Sequence, residues 1–254
     1  MMPRYRLVVE YDGSNYVGWQ RQTNGVSIQQ SLEEAIASYC GETIRAFAAG
    51  RTDAGVHALR QTVHVDIARG DPVITVQKAV NFHLKAEPIS VLEVADAGAD
   101  FHARFSATGR KYIYRILNRP APPSLDALRV WHVPRKLNVR AMNRAAQRLV
   151  GNHDFTTYRS KHCQADSPVK TLGRLVVVRC GNDVRITAHA RSFLHNQVRS
   201  MVGALKMVGE GRWTEEAVAE ALEARDRTAA PPTAPPWGLY LADVDYAQAD
   251  PAIE

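Results

Sequence analysis

Hydrophobic and polar positions alternate or recur along this chain in a way that predicts twelve principal elements. Period-two alternation marks an extended run at Tyr5 to Tyr11. From Ser27 to Cys40 the period lengthens to that of a helix, with Ile28, Leu32, Ala35, Ile36 and Tyr39 on one face and Ser27 placed to cap it. Extended runs follow at Ile44 to Ala49 and Thr62 to Ile67, then a helix near Thr75 to Leu84 and a strand near Ile89 to Ala95. The order is β-α-β-β-α-β.

The second half repeats that order. A strand at Lys111 to Leu117 leads to a helix at Val139 to Val150, paired strands at Gly173 to Cys180 and Val184 to Ala190, a helix at Phe193 to Val208 and a strand at Leu239 to Tyr246. Gly181-Asn182-Asp183 supplies the tight turn between the paired strands, and one additional helix, Thr214 to Arg225, precedes the last strand. Two such passes predict an α+β fold: two ferredoxin-like halves forming a largely antiparallel sheet with a central cleft. The expected division is residues 1–105 and 106–254, with linker candidates at Arg119 to Ser124 and in the Pro-rich stretch Ala230 to Pro236.

Composition narrows the class. At 254 residues, 45% hydrophobic and 23% charged, the chain can bury a core and is neither disordered nor fibrous. Its apolar runs, such as Leu175 to Val178, are far shorter than the ~20 residues of a bilayer span, and no apolar signal region follows the basic N-terminus, so a soluble cytoplasmic protein is expected. The three cysteines form no CxxC pair, which suits reduced thiols. Charge is uneven: the first hundred residues sum to −3, whereas residues 101–180 set sixteen Lys and Arg against Asp126, Asp154 and Asp166. Clustered cations of that density predict a polyanion partner.

Three stretches could carry chemistry. Gly50-Arg51-Thr52-Asp53-Ala54-Gly55-Val56-His57-Ala58 joins two predicted strands as a shaped loop presenting a carboxylate and a cation. Asp53 suits a nucleophile or acid/base, or a residue that caps its own turn; Arg51 suits a phosphate anchor or a surface charge, and His57 a catalyst or a packing residue. In Gly109-Arg110-Lys111-Tyr112-Ile113-Tyr114-Arg115, alternation puts Tyr112 and Tyr114 on one strand face, as a base-stacking surface or as core. In Arg191 to Arg199, the i, i+4 spacing of His195 and Arg199 puts them on one helical face with Ser192, opposite an apolar stripe of Leu194, Val198, Met201, Val202 and Leu205. A cation there could keep the Asp53 carboxyl ionised if the two meet. No zinc-type His/Cys spacing, P-loop or dinucleotide fingerprint occurs, so no metal and no nucleotide cofactor are expected.

Together these stretches resemble the TruA family of tRNA pseudouridine synthases. Gly50 to Ala58 is similar to its Asp loop, Phe101 to Ala107 with Arg110-Lys111-Tyr112 to its tyrosine segment, and Phe193 to Arg199 with Val202-Gly203 to its arginine helix. Tyr11-Asp12-Gly13, Gly18 to Gln22, Asp154-Phe155 and Gly238-Leu239-Tyr240-Leu241 extend the likeness over nearly the whole chain. The resemblance implies a cofactor-free homodimer that isomerises uridine to pseudouridine at positions 38, 39 and 40 of tRNA. It also implies Asp53 as catalytic carboxylate, Tyr112 as active-site tyrosine, Arg199 as partner of that aspartate, Arg51 in extruding the target nucleotide and Leu241 in binding it. One departure is visible after Asn81: where the family often continues Leu-Pro with an Asp two residues on, this chain has Leu84-Lys85-Ala86-Glu87-Pro88.

Overall fold

Alternating apolar residues make the first strand, β1 (Arg4–Tyr11), a buried centre for its neighbours: Tyr5, Leu7, Val8, Val9 and Tyr11 are all in the core. The computed structural model describes residues 2–247. Within them the chain divides into two units, one running to Arg110 and resumed from Leu241, the other Lys111–Tyr240. The final strand, read in sequence as part of the second half, thus belongs to the first unit from Leu241 onward.

In the first unit β1 pairs antiparallel with β3 (His57–Asp66) on one side and β4 (Ile89–Ala97) on the other. The short β2 (Phe47–Ala48) pairs antiparallel with β3, giving the β4-β1-β3-β2 order of a ferredoxin-like β-α-β-β-α-β unit. β10 (Leu239–Tyr246) is also a neighbour of β3. Helix α1 (Ile28–Cys40) starts where expected: Ser27 takes an extended backbone and its hydroxyl accepts from Gln30 N–H, while Gly41 at φ 76° ends the helix. α2 (Val73–His83) buries Val76 and Val80. The extended run expected over Ile44–Ala49 is only two residues of ladder, because Ala46 N–H donates to the Glu33 carboxylate instead of a strand.

The second unit orders its strands β5-β9-β8-β7, from β5 (Ala107–Leu117), β9 (Asp183–Ala190), β8 (Val169–Cys180) and β7 (Gly151–Asp154). β8 and β9 form the expected hairpin, with Cys180 opposite Asp183 and Gly181 at φ 61° in the turn. Two strands lay outside the sequence reading: β7, and β6 (Trp131–His132), which runs parallel to β5. Helices α3 (Val139–Gln147), α4 (Gln197–Gly209) and α5 (Glu215–Ala224) complete the unit. α4 begins four residues later than expected. Asn196 sits at φ 64°, and Leu194 exchanges bonds with Gln197, its N–H to the side-chain oxygen and its carbonyl from the N–H. Residues 193–196 are therefore a tight turn, so His195 shares no helical face with Arg199; its carbonyl accepts from Ser160 N–H.

Candidate active site

The loop between β2 and β3 is built from behind. Gly13 and Gly18 lie so close to it that a Cβ would come within 2.0 Å of the Val56 carbonyl oxygen at the first and 2.7 Å of the Thr52 carbonyl oxygen at the second. Gly18 is also at φ 102°, so no other side chain suits its backbone. Trp19 N–H donates to the Thr52 carbonyl, and the buried Tyr11 hydroxyl meets Thr52 Oγ1 at 2.8 Å. Desolvation pushes the Tyr11 phenol up to about 12, so it stays neutral. Gln61 Nε2 holds the Gly50 carbonyl at 2.7 Å and Arg110 holds that of Ala49 at 2.9 Å.

On this buttressed frame Asp53 opens a turn in which its carbonyl accepts from Val56 N–H, with Gly55 at φ 75° inside it. Its side chain is half-buried, whereas Arg51 is exposed. His57 is a packing residue: it is buried at the start of β3 and its Nδ1 accepts from Gly13 N–H at 3.1 Å. The unusual Leu84–Pro88 segment joins the support. Tyr16 hydrogen-bonds the Glu87 carboxylate and the Pro88 carbonyl accepts from Asp12 N–H, tying this segment to the 12–18 loop behind Asp53. Burial and the Glu87 carboxylate both raise the Tyr16 pKa.

In the second unit, the two tyrosines of β5 part company. Tyr112 is half-buried, its ring edge-on to Phe193 with centroids 5.2 Å apart. Tyr114 is core: it has no exposed surface, its hydroxyl donates to the Pro235 carbonyl at 2.8 Å, and burial drives its pKa up. Of the two readings open for this pair, stacking surface or core, Tyr114 takes the second and Tyr112 keeps part of its surface exposed, because alternation fixes the face but not the cover over it. Gly238 explains the cover, since a Cβ there would meet the Tyr114 ring at 2.6 Å.

Arg199 lies in the first turn of α4, half-buried, with Nε donating to the Ala234 carbonyl at 2.8 Å and Nη1 to Asn196 Oδ1 at 2.9 Å. Ala234 N–H returns a bond to the Arg199 carbonyl, and a Cβ at Gly203, one turn on, would lie 2.0 Å from the Pro232 carbonyl oxygen. The Pro-rich stretch is thereby clamped to α4 and aims the guanidinium. Nothing in its own sequence signalled that function. Leu241 is fully buried, an apolar support with no surface in water.

The first unit therefore holds Arg51, Asp53 and Leu241, and the second holds Tyr112 and Arg199. A cavity of about 990 Å³ in the second unit, lined among others by Arg135, Lys136, Arg140, Arg179 and Trp213, includes none of these five. Among the described residues there is no group of three or more His, Cys, Asp or Glu able to hold a metal, and no helix long and apolar enough to cross a membrane.

Comparison with known proteins supplies the family. The chain is 60% identical over 245 residues to tRNA pseudouridine synthase A of Rhodospirillum centenum, covering 96% of this chain and 100% of that one. It is 58% identical over 245 residues to the enzyme of that name from Rhodospirillum rubrum, covering 96% and 88%, and 56% identical over 247 residues to that of Sinorhizobium medicae, covering 96% and 100%. Among solved structures, a Cbf5-Nop10-Gar1 complex aligns at 12% identity and a TM-score of 0.34, over 80% of this chain and 45% of that chain, a likeness too slight to argue from. A family model described as tRNA pseudouridine synthase matches residues 7–106 and 145–247, in both units. By these matches the chain belongs to the tRNA pseudouridine synthase family and is an isomerase.

Proposed function

We propose that this protein isomerises uridine to pseudouridine at positions 38, 39 and 40 in the anticodon stem-loop of tRNA, with Asp53 as the catalytic carboxylate. The reaction breaks the bond from the sugar's anomeric carbon to N1, turns the uracil and joins the same carbon to C5. The C5 proton leaves and N1 gains one, so nothing is consumed and no cofactor is required. Asp53 attacks the sugar or the base, or removes the sugar's 2′ proton; each route needs an ionised carboxylate held still. Tyr112 stacks on the uracil, and its hydroxyl oxygen takes the C5 proton as its own proton passes to solvent. Arg199 keeps Asp53 charged and aimed, Arg51 occupies the place of the extruded nucleotide, and Leu241 supports the nucleotide site from within the core. The enzyme works as a homodimer.

The observation that carries this reading is the support around Asp53. Two glycines that admit no Cβ, a buried tyrosine and two side-chain bonds to loop carbonyls hold the backbone of the loop that carries the half-buried Asp53. Preorganisation of that kind serves a reacting group. A binder that merely stacked bases would use Tyr112 and Tyr114 together, and Tyr114 is sealed in the core.

Asp53→Asn tests the reading. The amide keeps the shape and loses the charge, so pseudouridine formation on tRNA transcripts should fall at least about a thousandfold while tRNA affinity stays within about threefold. Mass mapping of the products locates the modified positions. Pseudouridine formed by the variant at the wild-type rate overturns the role of Asp53, and modification confined to other positions overturns the anticodon assignment.

A further inference from the structure

Just before β5, residues 101–106 form a turn that presents one aromatic ring to water. Phe105 is 74% exposed although its ring lies against His102, with centroids 4.4 Å apart, and the Arg104 guanidinium carbon sits 5.6 Å from its centroid. The turn that carries it is stiff. The amides of Arg104 and Phe105 both donate to His102 Nδ1, at 3.1 and 3.4 Å, Ser106 N–H donates to the His102 carbonyl, and His102 N–H donates to Ser106 Oγ. His102 in turn packs on His64, 4.6 Å between centroids, and on Phe47, over which Arg45 places its guanidinium.

This turn is coupled to the Asp53 loop. Nη2 of Arg110 donates to the Arg104 carbonyl at 2.7 Å and to the Ala49 carbonyl at 2.9 Å, so one nitrogen joins the Phe105 turn to the residue before Gly50. The rings of this cluster carry cations: Arg104 lies over Phe105 and Arg45 over Phe47, both arginines exposed, while Asp66 beside His64 is paired with Arg4. An exposed ring on a rigid support among cations fits an unstacked nucleobase, whose π-face takes the ring while its phosphates meet the arginines. An acid-lined protein partner would have no use for the ring, and an apolar one would meet the arginines unpaired.

We propose that Phe105 is a stacking platform for a nucleotide of the substrate RNA other than the one isomerised, held in register with the Asp53 loop by Arg110. The platform rests on the RNA-modifying reading above. It would fix the distance from the reacting uridine to a neighbouring unpaired base, so that a duplex or a wrongly spaced loop loses a contact.

The test compares tRNA binding by wild type, Phe105→Leu, Phe105→Trp and Arg104→Ala, with Phe82→Leu as control; Phe82 is 63% exposed at the end of α2. Loss of one stacked base predicts a Kd for Phe105→Leu about five- to a hundredfold weaker, with an unchanged salt slope. Phe105→Trp should bind as wild type and gain a fluorescence signal that tRNA quenches. Arg104→Ala should lower the salt slope by about one. Wild-type affinity in Phe105→Leu, or equal losses in Phe82→Leu, overturns the platform while leaving the isomerase reading intact. A Phe105→Leu variant that changes oligomeric mass in ultracentrifugation but not tRNA affinity assigns the ring to a second copy of the chain, and overturns it too. Wild-type protein that neither binds nor modifies tRNA overturns both.

Discussion

His64 is 2% exposed on β3, its ring stacked on Phe47 at 4.9 Å and its Nδ1 accepting from Ala103 N–H. Burial, then the neighbouring His102 and Arg4, lower its pKa to about 4, from 6.5 in an unfolded chain. Between those values the unfolded state binds the extra proton and the folded state does not, so stability rises with pH. It is fully present above about 6.5 and is lost as the solution is acidified toward 4, at up to about 1.4 kcal/mol per pH unit. Urea titrations across that range should show the decline, and His64→Gln should flatten it; an unchanged wild-type midpoint from pH 7 to 4.5 would contradict the assignment. His102 is shifted the same way, by burial first and by Arg4 next, so its Nδ1 remains an acceptor for the Phe105 turn below the ordinary histidine range.

The elements show how a helix can be positioned by the absence of an atom. Gly203 lets the Pro232 carbonyl lie against α4, and that contact keeps Ala234 within reach of Arg199. Gly203→Ala should cost about 1–3 kcal/mol in urea unfolding and should also lower kcat, because the loop that aims Arg199 must retreat. Full stability with full activity in that variant would refute the clamp. At this scale the sequence was an uneven guide. Ser27 announced the start of α1 because a cap is local chemistry, and the Asp53 loop stood out because Gly50 and Gly55 bracket a charge. The start of α4 was misread because Leu194 continues the spacing of Val198 and Met201, yet it is buried from a turn instead of a helix. β6 and β7 are too short to show a period, and the approach of Gly13 to Val56 joins residues 43 apart that no local pattern connects. The role of Arg110 was hidden for the same reason: the acceptors that tie it to the two loops, at Ala49 and Arg104, are backbone carbonyls.

For the molecule as a whole, charge is the property that sequence stated most directly. Sixteen cations against three carboxylates over residues 101–180 remain in large excess after Arg115 pairs with Asp126 and Asp183 and Arg144 with Glu215. Arg135, Lys136 and Arg140 are exposed among them. The expected consequence is a steep, linear rise of log Kd for tRNA with log salt, each neutralised phosphate adding about 0.7–0.9 to the slope. A flat response in filter binding from 50 to 200 mM salt would remove the polyanion argument. One further consequence follows from the division of the chain, in which the first unit is interrupted after Arg110 and resumed only at Leu241. As the polypeptide emerges from the ribosome, the uninterrupted segment Lys111–Tyr240 is complete before β3 acquires its neighbour β10. The part translated first is thus the last to mature, and until Leu241–Tyr246 has been made a nascent chain carries an unfinished sheet border along β3.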